Sequence, residues 1–185
     1  MTLDSDLRSF LQQGLSIHLG TRDARRAPNG ARVVAVKVEE GKDDEVIAYV
    51  PVAGADAVLT DLKANGQAAL SFARPADDRA CQVKGMYVDS WSAPPSDLDA
   101  VQAQWQGFIT QLGLVGIPAE ASANWVTWPC VAIRIRVNAV FDQTPGPSAG
   151  KALINDSAAP RTPSDLGPSR TLDPVDLVDL VDPVD

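Results

Sequence analysis

The sequence holds one histidine and two cysteines in 185 residues, and aromatic side chains make up only 5% of it. A structural zinc site needs several clustered thiolate or imidazole ligands. His18, Cys81 and Cys130 stand far apart, so no metal site is expected. One histidine without a neighbouring partner signature also gives no Ser-His-Asp or Cys-His arrangement. Glycine-rich phosphate loops are absent. Cys81 and Cys130 lie in strand-like surroundings and read as buried free thiols, not as a disulfide. No run approaches the roughly 20 apolar residues needed to span a bilayer. Residues 1–6 are polar and acidic, with neither the positive nor the apolar region of a leader, so the expected compartment is the cytoplasm.

Positive charge is scarce as well. Sixteen Lys and Arg stand against 24 Asp and Glu, for a net charge of −8 and a pI near 4.6. Nucleic-acid phosphates would be repelled, whereas a small anionic ligand feels the local field more than the net charge. Hydrophobic residues at 45% and charged residues at 22% suit one soluble domain whose core needs no staples.

The composition changes near Phe141. From position 142 onward there are 7 of the 14 prolines, no aromatic residue, and 8 acids against 3 bases. Aspartate recurs every third residue from Asp173 to Asp185, a period that fits neither helix nor strand. These features divide the chain into a domain at 1–147 and a Pro/Asp-rich acidic tail at 148–185. The tail has too few apolar groups to offset its ordering entropy and is expected to be disordered.

Within the domain the hydrophobic pattern alternates. Leu3, Leu7, Phe10 and Leu11 share a helical face. Period-two runs predict strands at 15–21, 33–38, 45–50, 68–72, 81–91 and 131–141, with a turn at 25–30. Helices are predicted at 53–65, stopped by Gly66, and from Ser96, read as the cap, to about Leu112. Six strands with hairpin connections indicate an antiparallel sheet closed on itself, which removes exposed edges.

Several strings carry a resemblance. They are Thr21-Arg-Asp-Ala-Arg-Arg-Ala-Pro28, Arg32-Val-Val34-Ala-Val36-Lys37, Leu62 through Phe72, Cys81-Gln82-Val83-Lys84-Gly85, and Phe141-Asp-Gln-Thr-Pro-Gly-Pro147. In order and spacing they resemble the pyridoxamine 5′-phosphate oxidase-like, FMN-binding split-barrel superfamily. The resemblance implies a mainly β, six-stranded antiparallel Greek-key split barrel with flanking helices. It further implies a homodimer with FMN between subunits, acting in redox chemistry on a small molecule. By the same resemblance Arg32 and Val34 would contact the flavin, Gln82 would approach its ring, and Lys37 would face the substrate.

The chain departs from the family at the start of its second helix. There the oxidase has a Ser-Arg-Lys phosphate clamp and this chain has Gly54-Ala-Asp56-Ala-Val58. The oxidase's C-terminal substrate-binding extension is missing too. Two function classes therefore stand open: a flavoprotein, or a non-catalytic dimer that has lost the flavin and serves as a binding or scaffold module. His18 reads as a surface or interface histidine or, by analogy with fold relatives, a haem ligand. Trp125 and Trp128 read as core or interface residues, or as rings that stack on a ligand.

Overall fold

In a computed structural model that describes residues 2–155, helix α1 (Ser5–Leu11) opens the fold. The Asp4 carboxylate caps it by accepting from the Leu7 N–H at 2.8 Å, and Leu7, Phe10 and Leu11 turn inward. There follow β1 (Ser16–Arg22), β2 (Pro28–Val33), β3 (Ala35–Lys37) and β4 (Glu45–Pro51). A 3₁₀ turn at Val52–Gly54 leads into α2 (Asp56–Asn65), which Gly66 ends in the left-handed conformation at φ 72°. Then come β5 (Gln67–Ala73), β6 (Ala80–Ser92), α3 (Leu98–Leu114), β7 (Cys130–Asp142) and β8 (Ala152–Asn155).

The sheet order is β2-β1-β5-β6-β7-β4-β3, all antiparallel, with β8 added on β7. The two end strands are consecutive in sequence and separated only by Val34. One kinked segment therefore closes the sheet, its first half paired with β1 and its second with β4. At the kink the Val34 N–H donates to the Tyr49 carbonyl at 2.9 Å. The outer edge of β3 is satisfied by side chains. Gln104 accepts from the Val36 N–H at 3.0 Å and donates to its carbonyl at 2.8 Å, and Gln12 accepts from the Val38 N–H at 3.0 Å. An edge covered in this way offers no template for another chain.

Inward-facing residues of every main strand meet in one core, among them Ile17, Leu19, Val33, Leu70, Phe72, Val83, Ile133 and Ile135. A second cluster lies outside the barrel. There Val101, Trp105 and Phe108 of α3 cover Val34, Ala35, Ile47, Tyr49 and Ala132. Close approach makes this packing possible: a Cβ on Gly14 would lie 2.1 Å from the Gly107 carbonyl carbon of α3. Asp61, buried at 3% exposure, accepts from Thr21 Oγ1 at 2.7 Å and Asn29 Nδ2 at 2.8 Å, tying α2 to β1 and β2.

Eight strands stand where six were expected. The strand predicted at 33–38 reaches back to Pro28, through residues read as a turn, and divides at Val34. The eighth strand lies beyond the boundary placed at 147. It forms because β4 pairs with β7 no further than Arg136, leaving a free ladder edge at Ala139 to Phe141 that residues 152–155 occupy. Ile154 packs against the core there. Composition averaged over the long acidic segment hid this short β-compatible stretch. The rest of the expected tail, 156–185 with its aspartate repeat, lies outside the described residues. Ser96 makes no cap either; it sits in a 3₁₀ turn at Pro95–Asp97, and α3 starts without a side-chain cap.

Candidate functional site

Register places four polar side chains in one line. Arg32 of β2 lies opposite His18 of β1, His18 opposite Ser71 of β5, and Ser71 opposite Gln82 of β6. Directly opposed residues in antiparallel strands share a face. The flanking Ile17, Leu19, Val33, Phe72 and Cys81 are buried on the other side, so the row stands on the outer face. At about 4.8 Å per strand it runs roughly 14 Å across the sheet. The next outward row is small at its centre: Gly30, Gly20 and Ala69, then Lys84.

Helix α3 covers the outer face of β3, β4 and β7, whereas the outer face of β2, β1, β5 and β6 lacks any such helix among the described residues. Two shallow cavities open there. One, of about 510 Å³, is floored by Gly20, Ala69 and Gly85 and edged by Arg22, Lys84 and Met86. The other, of about 230 Å³, is lined by His18, Ser71, Gln82 and Gln143. The arrangement is a flat, small-residue floor beside a polar line with a cation at one end, a surface suited to a planar ligand.

The cation is unspent. Arg32 has no hydrogen bond and no carboxylate within ion-pair distance among the described residues, and its contacts are aromatic. Its Cζ lies 4.1 Å from the Trp125 ring centroid and 5.9 Å from that of Phe108. Burial lowers the Arg32 pKa, but a guanidinium stays charged in a protein. His18 is exposed; its partial loss of hydration and, second, the Arg32 charge hold its pKa below the ordinary histidine value. It is therefore neutral at pH 7 and offers one donor and one acceptor. Gln82 brings both an amide donor and an acceptor.

The other expected residues stand elsewhere. The Val34 side chain is buried in the second cluster and its N–H is used by Tyr49, so no donor is left there for a ligand. Lys37 lies beyond the kink, 3.8 Å from Asp97, which also accepts from the Tyr49 hydroxyl at 2.9 Å. Burial first, and that bond second, push the Tyr49 pKa up. The start of α2 has no side-chain donor, and Asp56 occupies its first turn. Trp91, Trp105 and Trp128 belong to the second cluster; Trp125 is partly exposed over Arg32. Burial raises both thiols, Cys81 and Cys130, to about 12, so neither is a thiolate at neutral pH.

His18 and Ser71 gain their place only through pairing. Alternation showed that His18 points away from Ile17 and Leu19, but the register that aligns it with Arg32 and Gln82 depends on β1 lying between β2 and β5. Among the described residues no cluster of three or more His, Cys, Asp or Glu could hold a metal, and no helix is long and apolar enough to cross a membrane.

No family model and no curated protein matches the chain. Among solved structures it is similar to an F420 reductase, at 19% identity over 72% of this chain and 94% of that one, with a TM-score of 0.49. HupZ of Group A Streptococcus is 16% identical over 80% and 99%, with a TM-score of 0.47. A pyridoxamine 5′-phosphate oxidase-related, FMN-binding protein of Nostoc punctiforme is 13% identical over 71% and 75%, with a TM-score of 0.39. Strand order and closure through Val34 describe the architecture by themselves. In fold, the chain is an antiparallel Greek-key split barrel closed through the kinked segment at Val34.

Proposed function

We propose that the chain is a cytoplasmic, homodimeric flavoprotein that holds FMN or a related flavin against the open face of β2, β1, β5 and β6. It uses that flavin for hydride or electron transfer on a small molecule. The observation that carries this reading is the outward row Arg32, His18, Ser71 and Gln82 beside the small floor of Gly20 and Ala69. When bound, the flavin supplies the redox chemistry, and the protein supplies position and electrostatics. Arg32 holds an anionic part of the cofactor with N–H groups that no other described residue occupies. Gln82 and neutral His18 give hydrogen bonds along the polar edge of a ring system lying on the floor. Lys37 stays with Asp97 and takes no part in this arrangement. A second copy facing the first would cover the open face on both, an isologous contact of the kind most homodimers use.

The direct test is a fluorescence titration of FMN with the intact protein and with Arg32→Ala. Loss of charge-assisted bonds worth about 1.5–3 kcal/mol should weaken binding roughly ten- to a hundredfold. Equal affinity in both proteins sinks the assignment of Arg32.

The bare start of α2 favours a second reading. With Gly54 and Ala55 where a phosphate clamp would stand, and Asp56 in the first turn, the barrel can persist as a dimer that binds no flavin and serves as a scaffold. Sedimentation separates the two, because the scaffold reading expects a stable dimer whose mass and stability ignore added FMN.

A further inference from the structure

The Arg32 guanidinium is held on a ring platform, and that platform comes from outside the sheet. Trp125 follows the 3₁₀ turn at Ala119–Ser122, and its ring centroid lies 4.1 Å from Arg32 Cζ. Behind it stand Trp105 at 5.5 Å, tilted by 51°, and Phe108 at 6.3 Å, near-parallel at 24°, both buried on α3. Trp125 keeps 39% exposure. A planar cation over a ring face directs its N–H edges sideways, so stacking fixes the plane of the fork without using any donor. An arginine lying free on a strand would spread over many rotamers and lose more entropy when it binds.

We infer that Trp125 is a positioning residue. By stacking on Arg32 it presets the guanidinium plane, so that the unspent N–H edge receives the oxyanion group of a ligand lying along the row. The inference rests on the proposed use of the row as a binding site and adds what governs it. The affinity for an anionic ligand depends on a segment that contributes no strand to the barrel. The same contact explains why Arg32 can stand half-buried with no carboxylate partner among the described residues: the rings compensate for lost water and leave the charge available to a ligand.

The test uses the full chain and two readings. The first is the side-chain Nε–Hε signal of Arg32, assigned by its disappearance in Arg32→Lys. Ring currents should displace it in the unmodified protein, and Trp125→Ala should move it most of the way to the position of a free arginine, the more distant Phe108 ring leaving a small remainder. The second is FMN affinity. Trp125→Ala should weaken it about tenfold, the size of a partly desolvated cation–ring contact. Trp125→Phe should recover most of that loss, and Trp125→Ala should add little in an Arg32→Ala background. A merely structural role for Trp125 would instead give the same loss with and without Arg32.

If the Arg32 signal moves in Trp125→Ala but FMN affinity does not, the inference is overturned and the flavin reading survives. If the unmodified protein binds no FMN, the flavin reading fails and inorganic phosphate becomes the probe. Phosphate that shifts the Arg32 signal, and needs about tenfold more anion in Trp125→Ala, still supports the positioning role. Phosphate that leaves the signal unmoved overturns it.

Discussion

Replacing Gly20 with valine separates the folding of the barrel from the use of its open face. Gly20 lies mid-strand in β1, opposite Gly30 on one side and Ala69 on the other. Among the described residues a Cβ there would find the Ala69 carbonyl oxygen at 3.7 Å as its only near neighbour, an ordinary contact, so the fold has room for a side chain. Glycine weakens a strand interior and valine favours it, on a scale that spans about 1 kcal/mol. The Gly20→Val protein should therefore be as stable as the parent or more so by about 0.5–1 kcal/mol, which for a domain of this size raises Tm by roughly 1–4 °C. Its side chain would rise into the cavity floored by Gly20 and Ala69 and lift a planar ligand off the sheet. Overpacking of that kind costs about 1–3 kcal/mol, or about five- to a hundredfold in the FMN Kd. Calorimetry and a fluorescence titration on the same sample read both quantities. A Tm several degrees lower would refute the open face; an unchanged FMN Kd at raised Tm would place the ligand elsewhere.

Three further outcomes follow from other positions. Gly85→Ala should lose about 2–3 kcal/mol in denaturant unfolding, because its Cβ would stand 2.2 Å from the Arg136 carbonyl oxygen where β6 bulges against β7; a loss under 0.5 kcal/mol would mean the strands can part there. Asp61→Ala leaves the Thr21 hydroxyl and the Asn29 amide without their acceptor, and should lose about 2–4 kcal/mol by the same measurement. Combining it with Thr21→Val should then cost less than the sum of the two. The folded His18 pKa lies below its ordinary value near 6.5, so the unfolded chain binds the proton more readily. The His18 contribution to stability is complete above about pH 6.5 and declines as pH falls through that value toward the folded pKa. An NMR titration should show a lowered His18 pKa that rises in Arg32→Ala; no change on removing Arg32 would contradict the neighbouring charge as a cause.

The strands were legible because inside and outside alternate cleanly. Ile133, Ile135 and Val137 face the core of β7 while Arg134, Arg136 and Asn138 face out, as period two requires. Gly66 marked the end of α2 through its chemistry, since a residue at φ 72° favours glycine. The kink at Val34 was not legible: nothing in Arg32-Val-Val34-Ala-Val36 interrupts the apolar run, and the break follows from closing a barrel between two different partners. Nor was β8, whose signal is four residues long and whose cause is a free edge on a distant strand. The site divides in the same way. Arg32 and Gln82 came from local strings that resemble a family, and the register brings them to one line. Lys37 shares its string with Arg32 but passes beyond the kink to Asp97. Trp125 could not be joined to Arg32 from sequence, because it stands 93 positions away in a segment after α3 that contributes no strand.

The measurement that tests the central claim most directly is the visible absorption spectrum of the purified full chain, taken before and after FMN is added and the excess removed by gel filtration. A stoichiometric flavin spectrum that stays with the protein peak, and is lost in Arg32→Ala, is the result expected of a flavoprotein using the open face. A colourless protein peak, with all FMN eluting later, would contradict it and leave the barrel as a scaffold whose unclamped α2 explains the failure.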